Sequence, residues 1–201
     1  MIYLLDTKLT EDSHSKYIID ILCRHTVVPI EHIEIPEDPT FGELYKIVIR
    51  LFDTINSNDI ILCPWAVSAD EQLDELFNDL ADCCWVVASA GNFNEDIEKY
   101  SPARAKNVIT VACLNKSGLK AALSNWSDNK ELVWIAGTNY NVGWKNSSGT
   151  SISAAVYSAF LAESIKNKDP DLLETLIHEY TERVFDEIDR KSTRLNSSHI
   201  P

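Results

Sequence analysis

Apolar residues along the first ninety positions switch between two spacings. Ile2-Tyr3-Leu4-Leu5 is a continuous apolar run that ends at Asp6. A short run of this kind predicts a strand buried on both faces. A polar loop, Thr7 to Ser13, follows. From His14, apolar residues at Tyr17, Ile18, Ile21 and Leu22 keep helical spacing. Thr26 to Pro29 and His32 to Ile35 read as extended, and Pro36 and Pro39 punctuate the next loop. Phe41, Leu44, Ile47, Val48, Leu51, Phe52 and Ile55 share one helical face. Asp59 to Cys63 reads as a strand, and Leu73, Leu76, Phe77 and Leu80 as another helical face. Trp85 to Ala90 reads as a strand closing at Gly91-Asn92.

Such alternation of apolar strands and helices predicts an α/β fold: a central, mostly parallel sheet with helices on both faces, in three layers. Active groups in such sheets collect at the carboxyl ends of strands. Asp6 and Asn92 both fall there, although each also fits a turn or cap.

In the second half, Asn107 to Ala112 reads as a strand, and Ala121 to Ser124 and Leu132 to Ala136 as two extended pieces. A polar loop, Gly143 to Ser148, leads into an apolar run with helical spacing (Ala155, Val156, Ala159, Phe160, Ala162, Ile165). Asp169-Pro170 opens a last helix, with Asp as N-cap and Pro at the first helical position. Arg190 to Pro201 breaks the pattern: it is basic, polar and rich in Ser, Thr and Asn, like translated adapter sequence. The expected organisation is therefore one domain, 1–189, and a non-native or disordered tail, 190–201. On that reading the natural chain can continue past Asp189.

Composition narrows the function classes. A chain of 201 residues that is 45% apolar can bury a sizeable core. Its net charge is −13, and no stretch combines clustered Lys/Arg with aromatic residues. That argues against nucleic acid and membrane surfaces as partners. No basic n-region or cleavage site opens the chain, which reads as a first strand and not as a signal peptide. Five cysteines, two of them adjacent and none in a C-x-x-C pair, read as reduced core residues of a cytoplasmic protein without a zinc site. No cofactor or metal is expected.

The chemistry concentrates in Ser148-Gly149-Thr150-Ser151-Ile152-Ser153-Ala154-Ala155. Ser151 stands at the start of a buried helix. There, free N–H groups and the helix dipole favour developing negative charge, which suits a nucleophile. Thr150 or Ser151 equally fits an N-cap.

Four segments, in order, resemble the subtilisin-like serine protease (subtilase) family. Ile2-Tyr3-Leu4-Leu5-Asp6-Thr7 resembles the first strand, which ends in the catalytic Asp. Ser13-His14-Ser15-Lys16-Tyr17-Ile18-Ile19 resembles the histidine segment. Val87-Ala88-Ser89-Ala90-Gly91-Asn92 matches the segment with the oxyanion-hole Asn, and Ser148 to Ala154 the nucleophile segment. The resemblance covers roughly residues 1–166. It implies a subtilisin-like fold and a serine endopeptidase with Asp6, His14 and Ser151 as triad and Asn92 in the oxyanion hole. The order Asp, His, Ser is that of the subtilisin triad. It also implies substrate binding along Leu62, Cys63, Pro64, Trp65, Ala90 and Gly91, with a peptide or protein as substrate.

The chain departs from the family pattern at several places. Asp6 and His14 are close together. Ser15-Lys16 follows the histidine where the family has Gly-Thr, and Lys16 is expected to repel a histidinium. Ala155 replaces a proline. Pro64 removes a backbone donor, and Trp65 is expected to fill the specificity pocket. No prodomain is expected before the first strand, and a partner protein is expected to complete so small a domain. Two readings follow: an active endopeptidase with a restricted pocket that processes one dedicated substrate, or a catalytically silent subtilase-fold protein that holds peptides as a scaffold.

Overall fold

The computed structural model describes residues 1–197, with side chains for residues 1–184. Along the chain the elements are β1 (Ile2–Asp6), α1 (His14–His25), β2 (Ile30–Glu34), α2 (Phe41–Leu51), β3 (Ile60–Cys63), β4 (Val67–Ser68), α3 (Glu71–Ala81) and β5 (Trp85–Ser89). They continue with β6 (Tyr100–Ser101), β7 (Ile109–Leu114), β8 (Val133–Ala136), β9 (Tyr140–Asn141), β10 (Asn146–Ser147), α4 (Thr150–Asn167) and α5 (Asp171–Ser197).

Six strands form one sheet in the order β2-β1-β3-β5-β7-β8, every neighbouring pair parallel. The chain steps outward from β1 to β2, then back past β1 to β3 and on to β5. Crossovers of one hand then place α1 on one face and α2 and α3 on the other. The direction reverses between β1 and β3, so the carboxyl ends of these strands border a topological switch point.

Side-chain alternation along the strands divides the core in two. Ile2, Leu4, Ile60, Leu62, Val87, Val111 and Ile135 face α1, α4 and α5. Tyr3, Leu5, Ile61, Cys63, Val86 and Ala88 face α2 and α3. Strands with apolar residues on both faces are therefore covered twice, which is the three-layer arrangement expected from their continuous apolar runs.

α4 is apolar or small on nearly every side and is buried from Thr150 to Ala162. A helix without a polar face belongs in the interior. One of its serines is satisfied by the sheet: Ser153 Oγ donates to Ile135 O at 2.8 Å. Phe160 packs edge-on against Tyr180 of α5, whose hydroxyl donates to Ala136 O at 2.8 Å. Truncating Phe160 to alanine is expected to cost about 3–5 kcal/mol.

Three expectations are corrected. Ala121–Ser124 is a turn and not an extended piece: Ser124 N–H returns to Ala121 O at 2.9 Å, and the Ser124 hydroxyl accepts from Cys113 N–H at 3.0 Å. The second extended stretch begins at Ile30, because Thr26 is the C-cap of α1 and its N–H returns to Leu22 O. Cys63, Cys84 and Cys113 are core residues, but Cys23 and Cys83 are exposed. Of the segment set apart as a tail, 190–197 continues the backbone of α5, and 198–201 lies outside the described residues. No helix among the described residues is long and apolar enough to cross a membrane.

Candidate active site

Asp6 ends β1 with its side chain buried, and its Oδ2 lies 2.7 Å from His14 Nδ1. The seven-residue connection closes because its polar groups are paired. Ser13 caps α1: its Oγ accepts from Lys16 N–H at 3.1 Å and donates to Thr10 O at 2.9 Å. Ser15 Oγ donates to Thr7 O, and His32 Nε2 reaches the same carbonyl at 3.0 Å. Thr7 N–H donates to Asp6 Oδ1 at 2.8 Å. One carboxylate oxygen is thus held by the backbone, and the other is left for the imidazole. His14 is the first residue of the helix and not its cap.

Lys16 is not a free cation beside His14. Its ammonium pairs with Asp20 one turn along α1, and Asp20 Oδ2 also accepts from Trp144 Nε1 at 2.9 Å. These two donors hold the Asp20 carboxyl below its ordinary range despite burial. The expected repulsion on a histidinium is therefore offset by a neighbouring carboxylate.

At the other helix, Gly149 is the N-cap and makes no side-chain capping bond, so neither Thr150 nor Ser151 fills that role. Instead Asn92, just beyond β5, takes it. Its Oδ1 accepts from Thr150 N–H at 2.9 Å and from Thr150 Oγ1 at 3.1 Å. Because a backbone N–H can only donate, the amide orientation is settled: Oδ1 faces the helix and Nδ2 faces away. A Cβ built on Gly149 would come within 3.3 Å of Asn92 Nδ2 and 3.4 Å of Ser151 Oγ. Glycine thus keeps open the space between the amide and the hydroxyl. Ser151 N–H, an orphan donor of the first helical turn, makes no hydrogen bond among the described residues. No hydrogen bond joins His14 to Ser151 among them either; such contacts often tighten only when substrate is bound.

Two residues missed by periodicity hold this geometry. Thr150 Oγ1 accepts from Gly91 N–H at 3.1 Å while donating to Asn92. Asn125 is fully buried. Its Oδ1 accepts from Phe93 N–H at 2.9 Å and Glu95 N–H at 3.1 Å, and its Nδ2 donates to Ala90 O at 2.9 Å. Asn125 N–H donates to Gly91 O at 3.0 Å. Gly91 has φ +101°, and an added Cβ would lie 2.5 Å from Asn125 Nδ2, so only glycine serves there. A lone polar residue beside a turn carries no periodic signal, which is why pattern alone passes over Asn125.

The expected substrate-binding residues lie around the carboxyl ends of β3 and β5. Leu62 and Cys63 are fully buried, in a strand paired on both sides by β1 and β5, and offer no free edge. Ala90 and Gly91 have their backbone groups engaged by Val111, Asn125 and Thr150. They support Asn92 and have no N–H left for a substrate. Pro64 is buried just past the strand end. The Trp65 indole donates to Leu5 O at 2.8 Å and packs edge-on to Phe77 at 6.1 Å, on the α2 and α3 side of the sheet. It is half-buried there.

The sequence model described as the subtilase family matches residues 57–188. The chain belongs to the subtilase family. The matched span contains Asn92 and Ser151; Asp6 and His14 precede it. A cuticle-degrading serine protease of Orbilia oligospora is 32% identical over 109 residues, 46% of this chain and 25% of that protein. Alkaline serine exoprotease A of Vibrio alginolyticus is 33% identical over 98 residues, 44% of this chain and 18% of that protein. The chain thus spans a quarter or less of these subtilases. A cold-adapted subtilisin-like serine proteinase superposes with a TM-score of 0.70 at 17% identity, covering 88% of this chain and 79% of the other. The patellamide maturation protease PatA gives 0.64 at 18% identity, covering 87% and 83%. The fold is subtilisin-like.

Proposed function

We propose that this subtilase is a serine endopeptidase acting on a peptide or protein through an acyl-enzyme. Ser151 Oγ attacks the scissile carbonyl and gives its proton to His14 Nε2. Asp6 accepts from His14 Nδ1–H, fixes that tautomer and stabilises the imidazolium. The tetrahedral oxyanion is met by Asn92 Nδ2 and Ser151 N–H. His14 then protonates the leaving amine, and water, activated in turn by His14, releases the acyl group.

The observation that carries this reading is the Asp6–His14 contact of 2.7 Å at the carboxyl edge of the sheet. There a buried carboxylate is aimed at an imidazole, a ring that can serve as base. The orientation of Asn92 supports it independently. Family membership and two serine proteases among the relatives support the reaction class. Five unpaired cysteines support a reducing, cytoplasmic setting.

The test is labelling with a fluorophosphonate, read by intact mass. One adduct is expected on the native chain and none on Ser151→Ala. A folded native chain that takes no adduct would replace this reading with the silent peptide-holding scaffold.

A further inference from the structure

Behind the hairpin of β9 and β10, the end of α1, the β8–β9 connection and α5 enclose a cleft of about 360 Å³. Its charge is opposite to that of the chain. Acidic residues outnumber Lys and Arg by 31 to 18 overall, yet Arg24, Lys116 and Arg183 line this cleft, and no Asp or Glu does among the described residues. None of the three is ion-paired among the described residues. Arg24 Nη1 donates to Asn141 O at 2.6 Å, and Arg183 Nε to Glu179 O at 3.3 Å. Each guanidinium keeps further N–H groups for a ligand.

The floor shows that two of these charges, Arg24 and Arg183, converge. His25 Nε2 lies 2.7 Å from Tyr140 Oη, and the ring packs edge-on against Tyr180 at 5.6 Å. Burial, and then the charges of Arg183 and Arg24, bring His25 down to about 4, so the imidazole is neutral at physiological pH. The same two guanidiniums work against the rise that burial imposes on Tyr140. The carboxylate nearest along α1, Asp20, also feels Arg24, but it is taken by Lys16 and Trp144. A half-enclosed, positively charged cavity with no carboxylate among its described lining residues favours an anion.

We propose that this cleft binds a phosphate-type oxyanion, held by Arg24, Arg183 and Lys116. Guanidinium forks match phosphate oxygens two at a time, and an ammonium adds charge without directional demand. Tyr140 supplies a further donor when neutral His25 carries its proton on Nε2. The volume exceeds that of bare phosphate, so the group can be free or borne on a small molecule. The proposal does not depend on peptidase activity.

The test is a titration of the full chain with inorganic phosphate and with pyrophosphate at constant ionic strength. Heat and the His25 ring resonances are followed together. Saturable binding of at least one ligand is expected, with the His25 signals moving along the same isotherm. Arg24→Gln and Arg183→Gln should each weaken binding about tenfold or more, and Arg183→Glu should abolish it, with unchanged circular dichroism. Lys46→Gln, on α2 across the sheet, should bind as the native chain does. The proposal is overturned if neither ligand saturates at 10 mM, a bound on the order of a weak millimolar contact. Binding that ignores all three arginine substitutions overturns it as well.

Discussion

Thr150 gives both its backbone N–H and its hydroxyl proton to one atom, Asn92 Oδ1, at 2.9 and 3.1 Å. The helix that carries Ser151 is thereby tied to the loop that carries the proposed oxyanion donor. Because the Asn92 amide is used on one side for this tie, its other side is fixed toward the space beside Ser151. Removing the donor with Asn92→Ala should lower kcat about 10²–10³-fold with KM little changed, measured on any peptide the native chain cleaves.

The tie itself is separable from the donor. Thr150→Val removes the hydroxyl that links Gly91 N–H to Asn92, and leaves a buried N–H without its acceptor. Stability should fall by about 1–3 kcal/mol in urea unfolding, and kcat should fall with it. Thr150→Ser should restore both. Equal loss of activity in the serine variant would show that the hydroxyl does not position Asn92.

Asp6→Asn keeps size and burial but removes the charge and lets an amide donor face Nδ1. The imidazole is then held in the wrong tautomer. By analogy with other triads, kcat should fall about 10⁴-fold. Circular dichroism and the fluorophosphonate adduct, followed over hours, separate a slow nucleophile from an unfolded chain.

The layers of this fold were readable because two periods coexist in the chain. Ile2 to Leu5 and Ile60 to Cys63 are apolar without a break, and only a sheet covered on both faces accepts that. The positions of Ser151 at a helix start and Asn92 just past a strand end were readable for another reason: a switch of period at a glycine marks each boundary. What pattern could not give was the use of a residue whose neighbours are distant in sequence. Trp65 looked like a pocket filler because its segment resembles the family's substrate edge, yet its indole donates to Leu5 O, sixty residues away. Leu62 and Cys63 looked like a substrate edge because strand order cannot be read from one strand. Asn125 is invisible to any local pattern, since its partners are the backbone of residues 90 to 95.

Asn125 should therefore be a stability residue before it is anything else. Asn125→Ala strands the amides of Phe93 and Glu95 and the carbonyl of Ala90, which is buried. A loss of about 2–4 kcal/mol is expected in chemical unfolding. Asn125→Asp keeps the acceptor but loses the donor to Ala90 O and buries a charge, so it should be no milder. A variant within about 0.5 kcal/mol of native would show that the 90–95 turn stands without this side chain.

Lys130 makes stability depend on pH in an unusual window. Its ammonium donates to Ala103 O at 2.9 Å, Ala105 O at 2.5 Å and Thr110 Oγ1 at 2.9 Å. Burial brings the group from 10.5 down to about 8, against the opposing pull of Asp74 and Glu98. Between those two values the unfolded chain binds more protons than the folded one, so the contribution of Lys130 grows as pH rises from about 8 to 10.5. It is lost again as pH falls back to 8. The check is urea unfolding at pH 7, 9 and 10 on the native chain and on Lys130→Met. The substitution also strands three acceptors, so the offset between the two proteins is not the readout. The slope is: native stability should rise relative to the variant across the window, while exposed tyrosines and cysteines, common to both proteins, cancel. Parallel curves would mean that Lys130 keeps its ordinary affinity for the proton in the folded chain.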